Sequence, residues 1–321
     1  MAMQENSRII VQSDWDVALR EDDGKTWVTY RNDATGKRVH GSIKCHAISS
    51  SGQPYVSATD GFSVEEISKK LLTVSYHNED LAQACKFQAP HVTFATVHQL
   101  NKSVISMDVS PGGLAVSSDM QGNVNVWTTN NGEVRRQLCG HYGDVYTCRF
   151  FPSGVVILTG GADTQLKIWS AETGQCINDT CVVERGRNIV SVSRDGTARI
   201  WDCGSQTCVG VLGDLGGIVN GCSLGVTDRE IDLLQPEQRP SNCPLQHIHE
   251  SRAAILSLLP YRRGLFISTG DGSCFYISED YKTDLELTGP DCDPVYRVVS
   301  DGSYLYSSCR DGLIRKYKPF L

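Results

Sequence analysis

GHYGDVYTCRFFPSGVVILTGGADTQLKIWSAETGQ, residues 140–175, is the stretch whose reading decides the fold. Three apolar runs lie inside it, DVYTCRFF, VVILTGG and LKIW, each followed by a polar or Gly-containing turn. Alternation with period two is what a strand needs when its two faces meet different surroundings. The closing turn-strand-Trp unit recurs without gaps. GNVNVWTTNNGE ends at Glu133, TQLKIWSAETGQ at Gln175 and GTARIWDCGSQT at Thr207, with Trp127, Trp169 and Trp201 in register. Two weaker copies follow: GDGSCFYIS puts Ile277 at the Trp position, and RDGLIRKYK puts Tyr317 there.

Upstream of each copy lies a second apolar run (GLAVSS, VVILTGG, NIVSVS, LFISTG, YLYSSC). In most copies a third precedes that (SVISMDVS, DVYTCRFF, AILSLL, PVYRVVS). Three strands in fixed order with a variable fourth make one propeller blade. The expected fold is therefore an all-β β-propeller over residues 91–321, preceded by an N-terminal, mostly-β module over 1–90.

Blade spacing is irregular. Trp127 to Trp169 is an ordinary blade length, but Trp169 to Trp201 leaves too little chain for a full outer and a full inner strand. Trp201 to Ile277 is nearly two blades long without another Trp-type strand, and the Pro-, Gln- and Asn-rich chain around 214–250 reads as a weak seam. About five clear blades plus one damaged blade are expected.

In the N-terminal module, Ser13 and Asp16 read as a capping box for a short helix, SDWDVALR, with Trp15 as its buried face. TWVTYR, SIKCHAIS and LLTVSYH read as strands; SVEEISKK suits either a helix start or a strand. The first twelve residues read as a polar tail. VTFATVHQ (92–99) reads as a fourth strand that would complete the last blade, which stops after its third, and so remove exposed sheet edges.

Composition narrows the function classes. Thirty Lys+Arg against 37 Asp+Glu give a formal charge of −7, and the longest basic runs, Lys69-Lys70 and Arg135-Arg136, are two residues long. Nucleic acid and anionic membrane both reward clustered positive charge, so neither is expected as the main partner. The opening MAMQENSRIIVQ has no apolar signal-peptide core, and no window approaches a transmembrane length. Thirteen cysteines, an odd number scattered through strand-like runs, suit reduced, small buried hydrophobes in an intracellular protein.

Catalytic signatures are missing: no nucleophile elbow, P-loop or dinucleotide fingerprint occurs. Cys243, His247 and His249 lack a fourth ligand at zinc-site spacing, so no metal and no cofactor are expected. Asp195, Asp271 and Asp311 sit in R-D-G or G-D-G turns, where Asp-Gly favours tight hairpins.

The repeats resemble those of the WD-repeat family, and the 140–175 copy carries its marks: Gly140-His141 before the first strand and Trp169 closing the third. The resemblance implies a buried relay of His141, Thr159, Asp163 and Trp169. The Trp127 copy offers Ser117 but Gln121 in place of the Asp; the Trp201 copy has Ser191 and Asp195 but no His. Within the family, SDWDVALR, the run from CRFFPSG to LKIWSAETG, RGRNIVSVSRDGTARIWDCG, GDGSCF, LTGPDCDPVY and CRDGLIRKY look like the branch of proteasomal ATPase-associated factors. That likeness implies a seven-bladed propeller that binds the C-terminal domain of a proteasomal regulatory-particle ATPase subunit. It also implies a chaperone of proteasome assembly, cytoplasmic and nuclear, non-enzymatic and monomeric when free. Against that pattern the chain is short by roughly ten residues between Ile177 and Thr180, and by more than a blade between about Leu234 and His247. The alternative is a WD-repeat scaffold for ribosome assembly, signalling or a ubiquitin ligase adaptor.

In WD propellers, the loops entering the first strands and the turns between second and third strands share one face, the usual docking face. Acids collect at those positions here: Asp144, Asp163, Asp195, Asp291, Asp293 and Asp311. Arg194 and Arg310 precede two of the turn aspartates and are expected to neutralise them in part. An acidic rim suits a basic protein partner.

Overall fold

Almost every apolar alternation in the chain becomes a strand. The computed structural model of the protein describes residues 7–32, 35–78, 81–177, 188–192, 197–212, 254–278 and 283–319. In the N-terminal module these are β1 (Ser7–Val11), α1 (Trp15–Ala18), β2 (Lys25–Asn32), β3 (Arg38–Ile48), β4 (Pro54–Ala58), β5 (Phe62–Ile67), β6 (Leu71–Asn78) and β7 (Leu81–Gln88). The short β8 (Val92–Phe94) precedes the Trp127 blade, β9 (Val104–Val109), β10 (Leu114–Asp119), β11 (Val124–Thr128) and β12 (Val134–Gln137). The Trp169 blade is β13 (Val145–Phe150), β14 (Val156–Gly161) and β15 (Leu166–Ser170). The Trp201 blade is β16 (Asn188–Val192), β17 (Ala198–Asp202) and β18 (Thr207–Leu212). The Ile277 blade is β19 (Ile255–Tyr261), β20 (Gly264–Thr269), β21 (Cys274–Ser278) and β22 (Thr283–Leu287). The Tyr317 blade is β23 (Val295–Ser300), β24 (Leu305–Cys309) and β25 (Ile314–Tyr317).

β8 pairs antiparallel with β25, setting Phe94 opposite Ile314, so a strand from before the first blade completes the last one. It is shorter than VTFATVHQ suggests, because the chain leaves the ladder after Phe94. Three apolar cores join consecutive blades. Val295, Leu305 and Tyr317 pack with Phe266 and Tyr276. Phe94, Trp127 and Met107 pack with Tyr306 and Ile314. Val116 and Val126 pack with Cys148, Ile157 and Trp169. Side chains of one inner strand also bond the backbone of the next: Cys148 N donates to Ser106 Oγ (3.1 Å), Phe150 N to Asp108 Oδ2 (2.8 Å) and Val298 N to Ser257 Oγ (3.3 Å). Residues at equivalent repeat positions thus stitch neighbouring blades together.

The short Trp169–Trp201 interval is visible in the sheets. The Trp169 blade has first, second and third strands, with only a Trp169–Cys176 bridge beyond them among the described residues. In the Trp201 blade, β16 aligns with second strands, so β16–β18 supply the second, third and fourth. The 214–250 seam and the Cys243, His247, His249 group lie outside the described residues.

The N-terminal module departs from expectation in three ways. Residues 7–11 are a strand rather than tail, because Ile9 and Val11 enter a core with Trp15, Val28, Tyr30 and Phe87. The short helix forms without the capping box: its cap is Asp14, which makes no side-chain capping bond. Asp16 instead meets Lys70 Nζ at 2.6 Å, while Trp15 is buried and donates from Nε1 to Thr288 Oγ1 at 3.1 Å. SVEEISKK resolves as strand in β5. Moreover, β7 pairs in parallel with β22, so β5–β7 extend the Ile277 blade into a seven-stranded sheet. That pairing covers the outer edge of β22, which would otherwise offer unpaired backbone groups.

Candidate functional site

The loops that carry the acids lie at one end of the blades, because a turn after the second strand returns beside the start of the first. Among the described residues these turns hold to the loop that enters their own blade, and the turn of the Tyr317 blade holds also to the loop that enters the Trp127 blade. Asn101 N donates to Asp311 O (2.7 Å), Met120 N to Ser103 O (3.1 Å), Ala162 N to Asp144 O (2.8 Å) and Arg310 N to Pro294 O (3.1 Å). Gly122 and Gly312 stand at φ 84, and a Cβ there would sit 2.4 Å from Gly143 O and 2.5 Å from Gln99 O. Only glycine supplies both that conformation and that closeness. The result is a continuous rim from the Tyr317 blade through the Trp127 blade to the Trp169 blade.

Beneath this rim sit the histidine relays. In the Trp169 blade, His141 Nδ1 is 2.8 Å from Asp163 Oδ2, His141 Nε2 is 2.6 Å from Thr159 Oγ1, and Trp169 Nε1 donates to the same Oγ1 at 2.7 Å. One proton arrangement satisfies all four groups: indole N–H to hydroxyl oxygen, hydroxyl proton to Nε2, and Nδ1–H to carboxylate. Burial alone would raise the Asp163 carboxyl. The hydrogen bonds from His141 and from the backbone N–H groups of Tyr142 and Gln165 outweigh it and hold Asp163 below the ordinary carboxylate value.

The Trp127 blade holds a second relay that its sequence hid. His98 Nδ1 is 3.1 Å from Asp119 Oδ2, His98 Nε2 is 2.8 Å from Ser117 Oγ, and Trp127 Nε1 donates to Ser117 Oγ at 3.0 Å. The carboxylate comes from the end of β10, two residues after Ser117, rather than from the Gln121 position. Asp119 too is held low: burial raises it, and the bonds from His98 and Asn123 prevail. No glycine precedes His98; the usable signal was the distance to the tryptophan, 98 to 127 against 141 to 169. In the Trp201 blade, Trp201 Nε1 donates to Ser191 Oγ at 2.8 Å. Arg194 and Asp195 lie outside the described residues. The Ile277 and Tyr317 blades use arginine instead of histidine beside the turn acid. Arg8, from β1, reaches Asp271 Oδ2 at 3.4 Å and Ser273 Oγ at 3.1 Å; Arg315 reaches Asp311 Oδ2 at 2.5 Å. Asp311 is thus neutralised by Arg315 in its own blade and not by the exposed Arg310, contrary to expectation.

These relays offer no chemistry to a substrate. The His141 side chain is 1 % exposed and that of His98 is 0 %, with both ring nitrogens of each engaged. What the rim presents outward is different. Asp291 is exposed, Asp144 and Asp293 are half-exposed, and none of the three pairs with a cation among the described residues. Asp144 stands between Tyr142 and Tyr146, which are 84 % and 54 % exposed. Tyr146 is the extra residue of a β-bulge at the second position of its inner strand, as Leu256 and Tyr296 are in theirs. The rim therefore presents carboxylates and exposed aromatic side chains to solvent.

Comparison with known proteins places the chain in a family. The WD40 family (WD domain, G-beta repeat) matches at residues 132–170 and 172–202. The chain is 41 % identical to a human protein named proteasomal ATPase-associated factor 1 over 388 aligned positions, covering 96 % of this chain and 97 % of that one. The chain belongs to the proteasomal ATPase-associated factor family. The Gallus gallus protein of the same name is 38 % identical over the same shares of both chains. Similarity also extends to a translation initiation factor 3 subunit I from Pyricularia oryzae, at 28 % identity over half of this chain and 44 % of that one. Because 388 aligned positions exceed the 321 residues present, this family member lacks at least 67 positions of its human relative.

Proposed function

We propose that this family member is a non-enzymatic scaffold whose acidic rim docks the C-terminal domain of a proteasomal regulatory-particle ATPase subunit, so regulating proteasome assembly in cytoplasm and nucleus. The observation that carries the reading is identity of 41 % along 96 % of the chain with a protein named for association with proteasomal ATPases. The rim supports it: Asp144 is flanked by the exposed Tyr142 and Tyr146, and Asp291 and Asp293 lie on the same rim at the entry to the Tyr317 blade, a surface suited to a basic patch with apolar interruptions. The free protein acts as a monomer, without cofactor.

Affinity purification of the tagged chain from cytosol tests this. Proteasomal ATPase subunits are expected to dominate the captured proteins. Recovery of translation-initiation or ribosome-assembly factors in their place would favour the alternative scaffold, for which the partial similarity to an initiation-factor subunit is the specific ground.

A further inference from the structure

A second surface of opposite sign lies on the N-terminal sheet β1–β4. Its inner face is fixed by Ile9, Val11, Val28, Tyr30 and Ile43, all buried in one core. The alternate positions of β1–β3 therefore face outward. They carry Arg8, Lys25, Arg31, Arg38 and Lys44 and no carboxylate, in a chain whose acids outnumber its bases 37 to 30.

The pairing of these cations matters more than their number. Arg8 stands opposite Arg31 and Arg31 opposite Arg38, a row across three strands; Lys25 stands opposite Lys44. Like charges directly opposite each other destabilise an antiparallel pair. Arg8 turns to Asp271, and Lys44 meets Asp23 at 2.8 Å with both side chains well exposed. Lys25, Arg38 and His40 remain exposed. Between the rows lies Trp27, 44 % exposed, an aromatic surface that the core does not use.

We infer that this sheet face is a docking surface for an acidic protein segment that carries an apolar or aromatic side chain. Carboxylates of an extended segment would answer the exposed Lys25 and Arg38, and its apolar side chain would cover Trp27. The net charge of −7 sets the class of partner. A long polyanion such as RNA meets the repulsion of the whole molecule, whereas a short acidic segment meets chiefly the local field, screened beyond about 8–10 Å in physiological salt. The face adjoins the acidic rim where Arg8 meets the turn acid Asp271, but it carries the opposite charge and takes a partner of opposite chemistry, so this inference is tested apart from ATPase binding at the rim.

The test uses the full chain and fluorescence anisotropy with a labelled, Glu-rich peptide bearing one central Phe, beside a labelled oligouridine of equal charge. The peptide is expected to bind, more weakly as salt rises. Lys25→Glu with Arg38→Glu should weaken it by about tenfold or more, and Arg135→Glu, on exposed β12, should not. Because Lys25→Glu replaces a like-charge pair with an opposite one, its melting temperature should stay level or rise, which a purely structural role for Lys25 does not allow. If the double reversal unfolds, Lys25→Gln with Arg38→Gln is read the same way. No peptide binding at low salt, or an equal loss with Arg135→Glu, overturns the inference. So does tighter binding of oligouridine through the same residues, or a concentration-dependent dimer that Lys25→Glu with Arg38→Glu abolishes.

Discussion

His98 stands to Trp127 as His141 stands to Trp169: in each blade one hydroxyl, Ser117 or Thr159, accepts from the indole N–H and meets the imidazole Nε2, at 2.6–3.0 Å. The two carboxylates reach the imidazoles from different places, Asp119 from a strand end and Asp163 from a turn. The relay is therefore defined by where charge and hydroxyl converge in space. The first prediction follows from the fully buried Ser117. Ser117→Ala leaves the Trp127 indole N–H and a His98 nitrogen without their shared partner and should cost about 1–3 kcal/mol. Urea unfolding measures this, and an unshifted midpoint would refute the role of the hydroxyl.

Trp169→Ala should be more damaging. It deletes a side chain 1 % exposed at the junction of two blades and strands Thr159 and His141. A loss of about 3–5 kcal/mol is expected, the range for large aromatic-to-Ala changes in cores. A melting temperature equal to the parent's would sink the blade assignment.

Closure by β8 makes a graded prediction. Phe94 is 4 % exposed and lies 5.0 Å from the Trp127 ring, whereas Val92 in the same strand is 41 % exposed. Phe94→Ala should therefore cost about 3–5 kcal/mol and Val92→Ala well under half of that. Similar losses in a urea titration would mean that β8 does not complete the Tyr317 blade.

The aspartates predict an acid limb. Asp119 and Asp163 both have lowered folded values, so each contributes stability that is present above the unfolded value of 3.8 and is lost as pH falls through the folded one. Asp108, raised chiefly by burial, acts in the opposite sense and blunts the slope. Asp119→Asn with Asp163→Asn should lower stability at neutral pH and flatten its decline below about pH 4. An unchanged slope in unfolding free energy against pH would contradict the histidine–carboxylate pairing.

Much of the fold was legible because blades repeat. Trp127, Trp169 and Trp201 announce third strands, and the alternation upstream announces second and first strands. The second relay was not legible, since His98 follows Val97 instead of a glycine and its acid sits two residues past the hydroxyl. Nor was the parallel pairing of β7 with β22, which joins residues about two hundred positions apart with no local mark. Ser13 and Asp16 failed as a capping box because Asp16 had a stronger partner, Lys70, whose approach depends on the tertiary fold. Of the rim acids, Asp144 lies before β13, and Asp291 and Asp293 before β23, as their repeat positions indicate. That Asp311 is neutralised by Arg315 rather than Arg310 depends on side-chain direction along β25, which sequence adjacency does not convey.

The most direct test of the docking claim is charge reversal at Asp144 and Asp291, rim acids outside the Asp-Gly turns. Binding of the double variant, Asp144→Lys with Asp291→Lys, to a purified proteasomal ATPase C-terminal domain would be measured in dilute and physiological salt. The account predicts an almost unchanged melting temperature, parent binding that weakens with salt, and a loss in the variant of about tenfold or more, about 1.4 kcal/mol. Binding by the variant that equals the parent's and ignores salt would contradict it.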